Sequence, residues 1–185
     1  TFRTALTGDS KEYRESSSSL MFAFVLAILL IYLILAAQFE SFKDPLIIML
    51  TVPLAIAGAL IFMYFNDITM NIFSQIGIIM LIGLVAKNGI LIVEFANLKQ
   101  EAGEDKMEAI KDASLQRLRP ILMTSASTIL GLIPLAFASG EGCNQRIAMG
   151  TAVVGGMLVS TFLTMYIVPA IYSYVSTNRS KLKTE

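Results

Sequence analysis

The sequence predicts an all-α fold, a polytopic membrane helix bundle with five transmembrane helices. Hydrophobic residues make up 55% of the 185-residue chain, charged residues only 15%, and the mean hydropathy is +0.69, a balance outside that of soluble domains. The apolar residues gather into long runs, each close to the roughly 20 residues that a helix needs to cross a hydrocarbon core of about 30 Å. Short polar breaks separate the runs, so the solvent for most of the chain is lipid.

In chain order, residues 1–19 are polar and lack the basic, apolar and cleavage-site succession of a secretory signal. They read as an outer linker into the first span, and the chain reads as a piece of a longer protein. The five spans cover residues 20–37, 45–65, 72–96, 120–138 and 147–174, and residues 175–185 form a polar tail. Residues 38–44 and 66–71 are tight turns, and residues 139–146 form a glycine-containing loop. The one long connection, residues 97–119, sets Met107, Ile110, Ala113 and Leu118 among charges, the pattern of an amphipathic helix on the membrane surface. Pro120 suits the first turn of the fourth span, where a missing N–H is harmless. Pro53, Pro134 and Pro169 lie inside spans, where each removes a backbone hydrogen bond and favours a kink.

Orientation follows from the basic residues. Lys43, Lys99, Lys106, Lys111, Arg117, Arg119, Arg179, Lys181 and Lys183 fall on one side, and Arg3, Lys11, Arg14 and Arg146 on the other. Nine against four places the connector and the carboxyl terminus in the cytoplasm.

Composition also excludes function classes. The 14 basic and 14 acidic residues cancel, which leaves no polyelectrolyte surface for a nucleic acid. With no histidine and a single cysteine, Cys143, the chain holds no internal disulfide, no histidine–cysteine metal site and no histidine base. Cys143 reads as an unpaired thiol in an outer loop. No nucleophile and base form a recognisable pair, so an enzyme is not expected. No catalytic residue, metal ligand or bound cofactor is assigned. The ten methionines are scattered and read as packing material.

The costly residue is Lys87, the only basic residue inside a span. A lysine at that depth costs about 3 kcal/mol on insertion scales, and at about 1.5 Å per residue it lies about 14 Å from the inner end of its span, too deep to snorkel fully. The only acidic residue in any span is Glu94, about 10 Å further along the same helix face. Lys87 therefore requires a carboxylate from another segment. Thr124, about 6 Å into the antiparallel fourth span, either meets Lys87 directly or through one water, or bonds its own backbone carbonyl. Arg117 reads as interfacial. Small residues, among them Gly83 and Gly89 in the third span and Gly155 and Gly156 in the fifth, mark helix-packing surfaces.

Several strings occur together in one order: Gln38-Phe39-Glu40-Ser41-Phe42 with Pro45, Val52-Pro53-Leu54, the run from Gly83 through Ala86-Lys87-Asn88-Gly89 to Glu94-Phe95-Ala96, Arg117-Leu118-Arg119-Pro120, Gly131-Leu132-Ile133-Pro134-Leu135, and Gly155-Gly156. Over nearly the whole chain from Gly8 this resembles the resistance-nodulation-division exporters, closest to the hydrophobe/amphiphile branch of multidrug efflux pumps in Gram-negative inner membranes. The resemblance implies the C-terminal transmembrane part, the last five of twelve spans, of a proton/drug antiporter. It makes residues 1–19 a periplasmic linker after a large periplasmic domain. Lys87 matches the lysine that pairs with two intramembrane aspartates, here in a missing N-terminal half, while Arg117 and Thr124 match the polar relay. Protons are the coupling ion. A homotrimer, a periplasmic adaptor and an outer-membrane channel are further implied partners, with the lipid bilayer. The alternatives are a membrane scaffold fragment without transport of its own, and an exporter of metal or lipid from the same superfamily.

Overall fold

Every apolar run of the sequence is helical in the computed structural model, which describes residues 9–140 and 142–176, with side chains from Ser19 onward. Residues 1–8 of the linker and 177–185 of the tail, with Arg3, Arg179, Lys181 and Lys183, lie outside the described residues, as do the side chains of Lys11 and Arg14. The elements are α1 (Asp9–Phe39), α2 (Lys43–Met49), α3 (Thr51–Phe65), α4 (Ile72–Glu101), α5 (Lys106–Ala136) and α6 (Cys143–Val175). No strand occurs among the described residues. Five stretches are long and apolar enough to cross a membrane, with α2 and α3 together forming the second.

Four boundaries differ from the sequence expectation. α6 begins at Cys143, so Cys143 and Arg146, expected in the loop, belong to its first turn. Residues 9–19, read as linker, already belong to α1. Once an apolar core has nucleated a helix, propagation through helix-forming Lys, Glu and Arg costs little. The second span is interrupted at Leu50, which joins α2 to α3 while keeping right-handed helical dihedrals. Pro53 explains the break, because it cannot donate to the Met49 carbonyl one turn back. The Thr51 hydroxyl donates to the neighbouring Ile48 carbonyl at 2.6 Å.

The fourth difference concerns residues 97–119, which do not form a separate surface helix. α4 runs on to Glu101, a turn containing Gly103 at φ +101° follows, and α5 starts at Lys106. Asp105 sets that start by accepting from the Met107 N–H at 3.2 Å, the usual work of an N-cap carboxylate. Lys99 ties the turn through Glu104 at 2.7 Å and Asp112 at 3.0 Å. Pro120 consequently lies in the middle of α5 and not in a first turn. Of the four residues read as one membrane-facing side, only Ile110 and Ala113 are turned inward, into a cluster with Ala96, Val168 and Tyr172, and Ala109 is buried as well. Leu98, Met107, Leu115 and Leu118 of this stretch remain exposed.

α6 is the central helix, packed by α3, α4 and α5, whereas α1 rests mainly on α2 and α4, with Phe24 against the apolar cluster that α3, α4 and α6 share, and stays largely exposed from Ser19 onward. Close approach is made by glycine. A Cβ on Gly155 would collide with Phe62, and one on Gly156 with Leu81, at 3.0 Å from the Ala55 carbonyl oxygen. On Gly150 it would stand 2.6 Å from the Ala136 backbone nitrogen, and on Gly89 3.2 Å from Ile48. Gly83 has nothing within 4 Å in its Cβ direction.

Candidate functional site

α4 begins with a reciprocal cap in which the Asn71 side chain accepts from the Ser74 N–H and the Ser74 hydroxyl accepts from the Asn71 N–H, both at 2.8 Å. From there the helix runs for 30 residues without proline. Its surface divides sharply. At about 100° per residue, the exposed Phe73, Ile76, Met80, Gly83, Glu94 and Leu98 all project within about 40° of Lys87. The buried side carries Leu81, Val85, Asn88, Ile92, Ala96 and Gln100. Lys87 therefore stands in an open stripe that no other part of the described bundle covers.

Lys87 is fifteen residues from Ile72 and fourteen from Glu101, about 22 Å from either end of the helix. This is the middle of the helix, whose last turn past Ala96 carries Lys99 and Glu101. Among the described residues its ammonium makes no hydrogen bond or ion pair. Glu94 shares the stripe, two helical turns nearer the connector, likewise exposed.

α5 approaches this region through the next residue of each helix. The Asn88 amide donates to the Ser125 hydroxyl at 3.2 Å, both side chains being buried. Thr124, beside Ser125, is exposed and does not bond Lys87. Its hydroxyl donates to the Ile121 carbonyl at 3.1 Å, the backbone alternative that its position allowed. Arg117 lies two turns before Thr124 on the same side of α5, with its guanidinium carbon 4.6 Å from the centroid of the Phe95 ring, within cation–π range. Its Nε is buried without a hydrogen-bond partner among the described residues. The structure thus joins neither Lys87 nor Arg117 to Thr124: Lys87 stays in the open stripe, and Arg117 lies over Phe95 of α4. Gly89, Gly155 and Gly156 meet neighbouring helices, while Gly83 opens onto the stripe.

Sequence reasoning passed over the Asn88–Ser125 bond. Its signal was present as two amide and hydroxyl groups deep in apolar runs, where an unpaired polar group costs about 1–3 kcal/mol. Ser125→Ala should accordingly lower the unfolding free energy by about 1–3 kcal/mol by stranding the Asn88 amide. Denaturant unfolding of the intact protein in detergent checks this, with Ser127→Ala, at an exposed position of the same helix, as the neutral comparison.

Long apolar helices enclosing polar contacts define a multi-pass membrane protein. More narrowly, the chain belongs to the AcrB/AcrD/AcrF family, which it matches over residues 1–176. It is 42% identical to an uncharacterized transporter of Haemophilus influenzae, the match covering 94% of this chain and 18% of the relative. It is 43% identical to the toluene efflux pump membrane transporter TtgB of Pseudomonas putida, over 92% of this chain and 16% of that protein. The multidrug resistance protein MdtF of Escherichia coli is 41% identical over 91% of this chain and 16% of its own length. The chain spans less than a fifth of the length of these relatives.

Proposed function

We propose that this chain is the C-terminal transmembrane part of an inner-membrane proton/drug antiporter that exports hydrophobic or amphiphilic compounds, with its carboxyl terminus in the cytoplasm. The observation that carries the reading is Lys87, without a partner among the described residues, in the middle of α4 on an open stripe that it shares with Glu94 two turns away. A carboxylate about 4 Å away contributes about 4 kcal/mol at an effective dielectric of 20, enough to offset the roughly 3 kcal/mol insertion cost of the lysine. The partner is an N-terminal half carrying intramembrane Asp residues, docked on the stripe.

Proton entry follows from that pairing. While the carboxylates are ionised they hold the ammonium. When one takes a proton, that attraction falls and Lys87 is released, so that α4 changes its contacts with the other half. Arg117, with an unsatisfied Nε, and Thr124 supply the polar groups on α5 that accommodate the shifted charge and its water. The names of TtgB and MdtF support a toxic organic cargo. Assembly as a trimer with a periplasmic adaptor and an outer-membrane channel belongs to the same reading.

The test is reconstitution of the full-length protein in vesicles under an imposed pH gradient. Addition of a fluorescent amphiphile should accelerate proton movement, and collapse of the gradient should stop amphiphile transport. Transport that continues unchanged without a proton gradient would refute antiport.

A further inference from the structure

At the connector end of the bundle a second polar group is buried, apart from Lys87. Asp44 at the start of α2 is 2% exposed. Its Oδ2 accepts from the Asn97 amide at 3.0 Å, and its Oδ1 accepts from the Ser176 hydroxyl at 3.3 Å. The Tyr172 hydroxyl donates to Asn97 Oδ1, and the Gln100 amide donates to the Tyr172 oxygen at 2.8 Å. Lys106, at the start of α5, closes the group by donating to the Ser176 carbonyl at 2.6 Å. α2, α4, α5 and the end of α6 are thereby tied at one point.

The donors run in one direction, from Gln100 through Tyr172 and Asn97 to the carboxylate. An amide has a fixed donor and a fixed acceptor, so Asn97 does not relay protons as a hydroxyl or water does. The network is suited to holding and not to conduction. Both α4 members fail together on movement: rotating α4 by one residue, about 100°, or sliding it by one turn, about 5.4 Å, removes the Asn97 and Gln100 bonds at once. A half-satisfied buried network is worse than none, so intermediate rotations are disfavoured. Asn97 lies about 15 Å along α4 from Lys87 and about 80° around it, and the Asn88–Ser125 bond holds the helix again beside Lys87.

We infer that the buried Asp44–Asn97–Tyr172–Gln100 network fixes the rotation of α4 and so aims Lys87 at the partner half, with Asp44 and Tyr172 as positioning residues. The inference rests on Lys87 being the switching cation.

The experiment uses the full-length pump in vesicles, with Asp44→Asn, Tyr172→Phe, the double variant and the milder Ser176→Ala. Each single variant should lower the maximal export rate, by about 5–20-fold for the first two and less for Ser176→Ala, with KM for the amphiphile within about twofold. The double variant should fall no further than its worse parent, as members of one network do. Separately, spin labels at Leu98→Cys on α4 and Tyr174→Cys on α6, in a full-length background in which Cys143 and any other cysteine are replaced by Ser, read the α4–α6 distance. That distance should shift or broaden in the network variants and stay fixed in Lys87→Met. Wild-type maximal rate and an unshifted distance in Tyr172→Phe and Ser176→Ala would overturn the inference, as would losses that only track the amount of folded pump recovered. Wild-type export by Lys87→Met, with distance shifts in the network variants, would instead refute the switching role and leave the positioning of α4 standing.

Discussion

Lys87→Met in the full-length pump should reduce proton-driven export of an amphiphile at least about a hundredfold, while the folded protein in the membrane stays level or rises. The two halves of this expectation have one cause. Methionine fills a similar volume without charge, and its removal spares the roughly 3 kcal/mol cost of placing a lysine at mid-membrane. Replacing a buried ion pair by apolar groups is frequently neutral or stabilising, whereas removing one partner strands the other charge. Under the proposed pairing the stranded carboxylates would have a ready escape, since they could take protons and stay neutral, a state that would stop the cycle. Lys87→Arg, which keeps the charge but broadens the head group, should retain partial export because a guanidinium still pairs with carboxylates. Efflux rate per folded pump is the measurement, and wild-type export by Lys87→Met would remove the lysine from the mechanism.

A comparably large effect is expected from Gly155→Leu, but on the fold. The Cβ alone would collide with Phe62 on α3, and α6 is the helix on which α3, α4 and α5 all rest. Overpacking a tight core costs about 1–3 kcal/mol, and a whole leucine at a backbone-close contact lies at the upper end or beyond. Thermal unfolding in detergent should drop and the yield of folded pump with it. Gly83→Leu separates packing inside this chain from packing against the rest of the pump, because Gly83 has open space beside it here. It should leave the packing among α3, α4 and α6 intact yet impair export, since the added side chain stands in the stripe that the other half is proposed to cover. Equal loss of folded protein from both variants would contradict the assignment of that stripe.

The five membrane runs were legible because each apolar segment reports directly on its solvent. Their ends were less so. The polar residues of α1 before Leu20 and the charged start of α5 are helical for reasons that hydropathy does not weigh: helix propagation, and the capping of Met107 by Asp105. The inward turn of Ile110 and Ala113 was hidden because an amphipathic pattern has the same period whether its apolar side meets lipid or protein. At the candidate site, Lys87 was legible from its cost alone. The Asp44 network was not, because Asp44, Asn97, Tyr172 and Ser176 are spread over 132 positions of sequence, and each lies at the end of a span where a polar residue needs no explanation. Only the fold brings them together.

The unbroken course of α4 has a mechanical consequence. α5 and α6 contain proline and the second span is interrupted ahead of Pro53, but α4 has neither proline nor interruption over its 30 residues. It is a stiff rod about 45 Å long. Pivoted at its connector end, a tilt of only about 5° would carry the far tip sideways by about 4 Å and its midpoint by about 2 Å. With such a pivot, a small displacement at Lys87 would reach the far end of the helix at about twice its size, as by a lever.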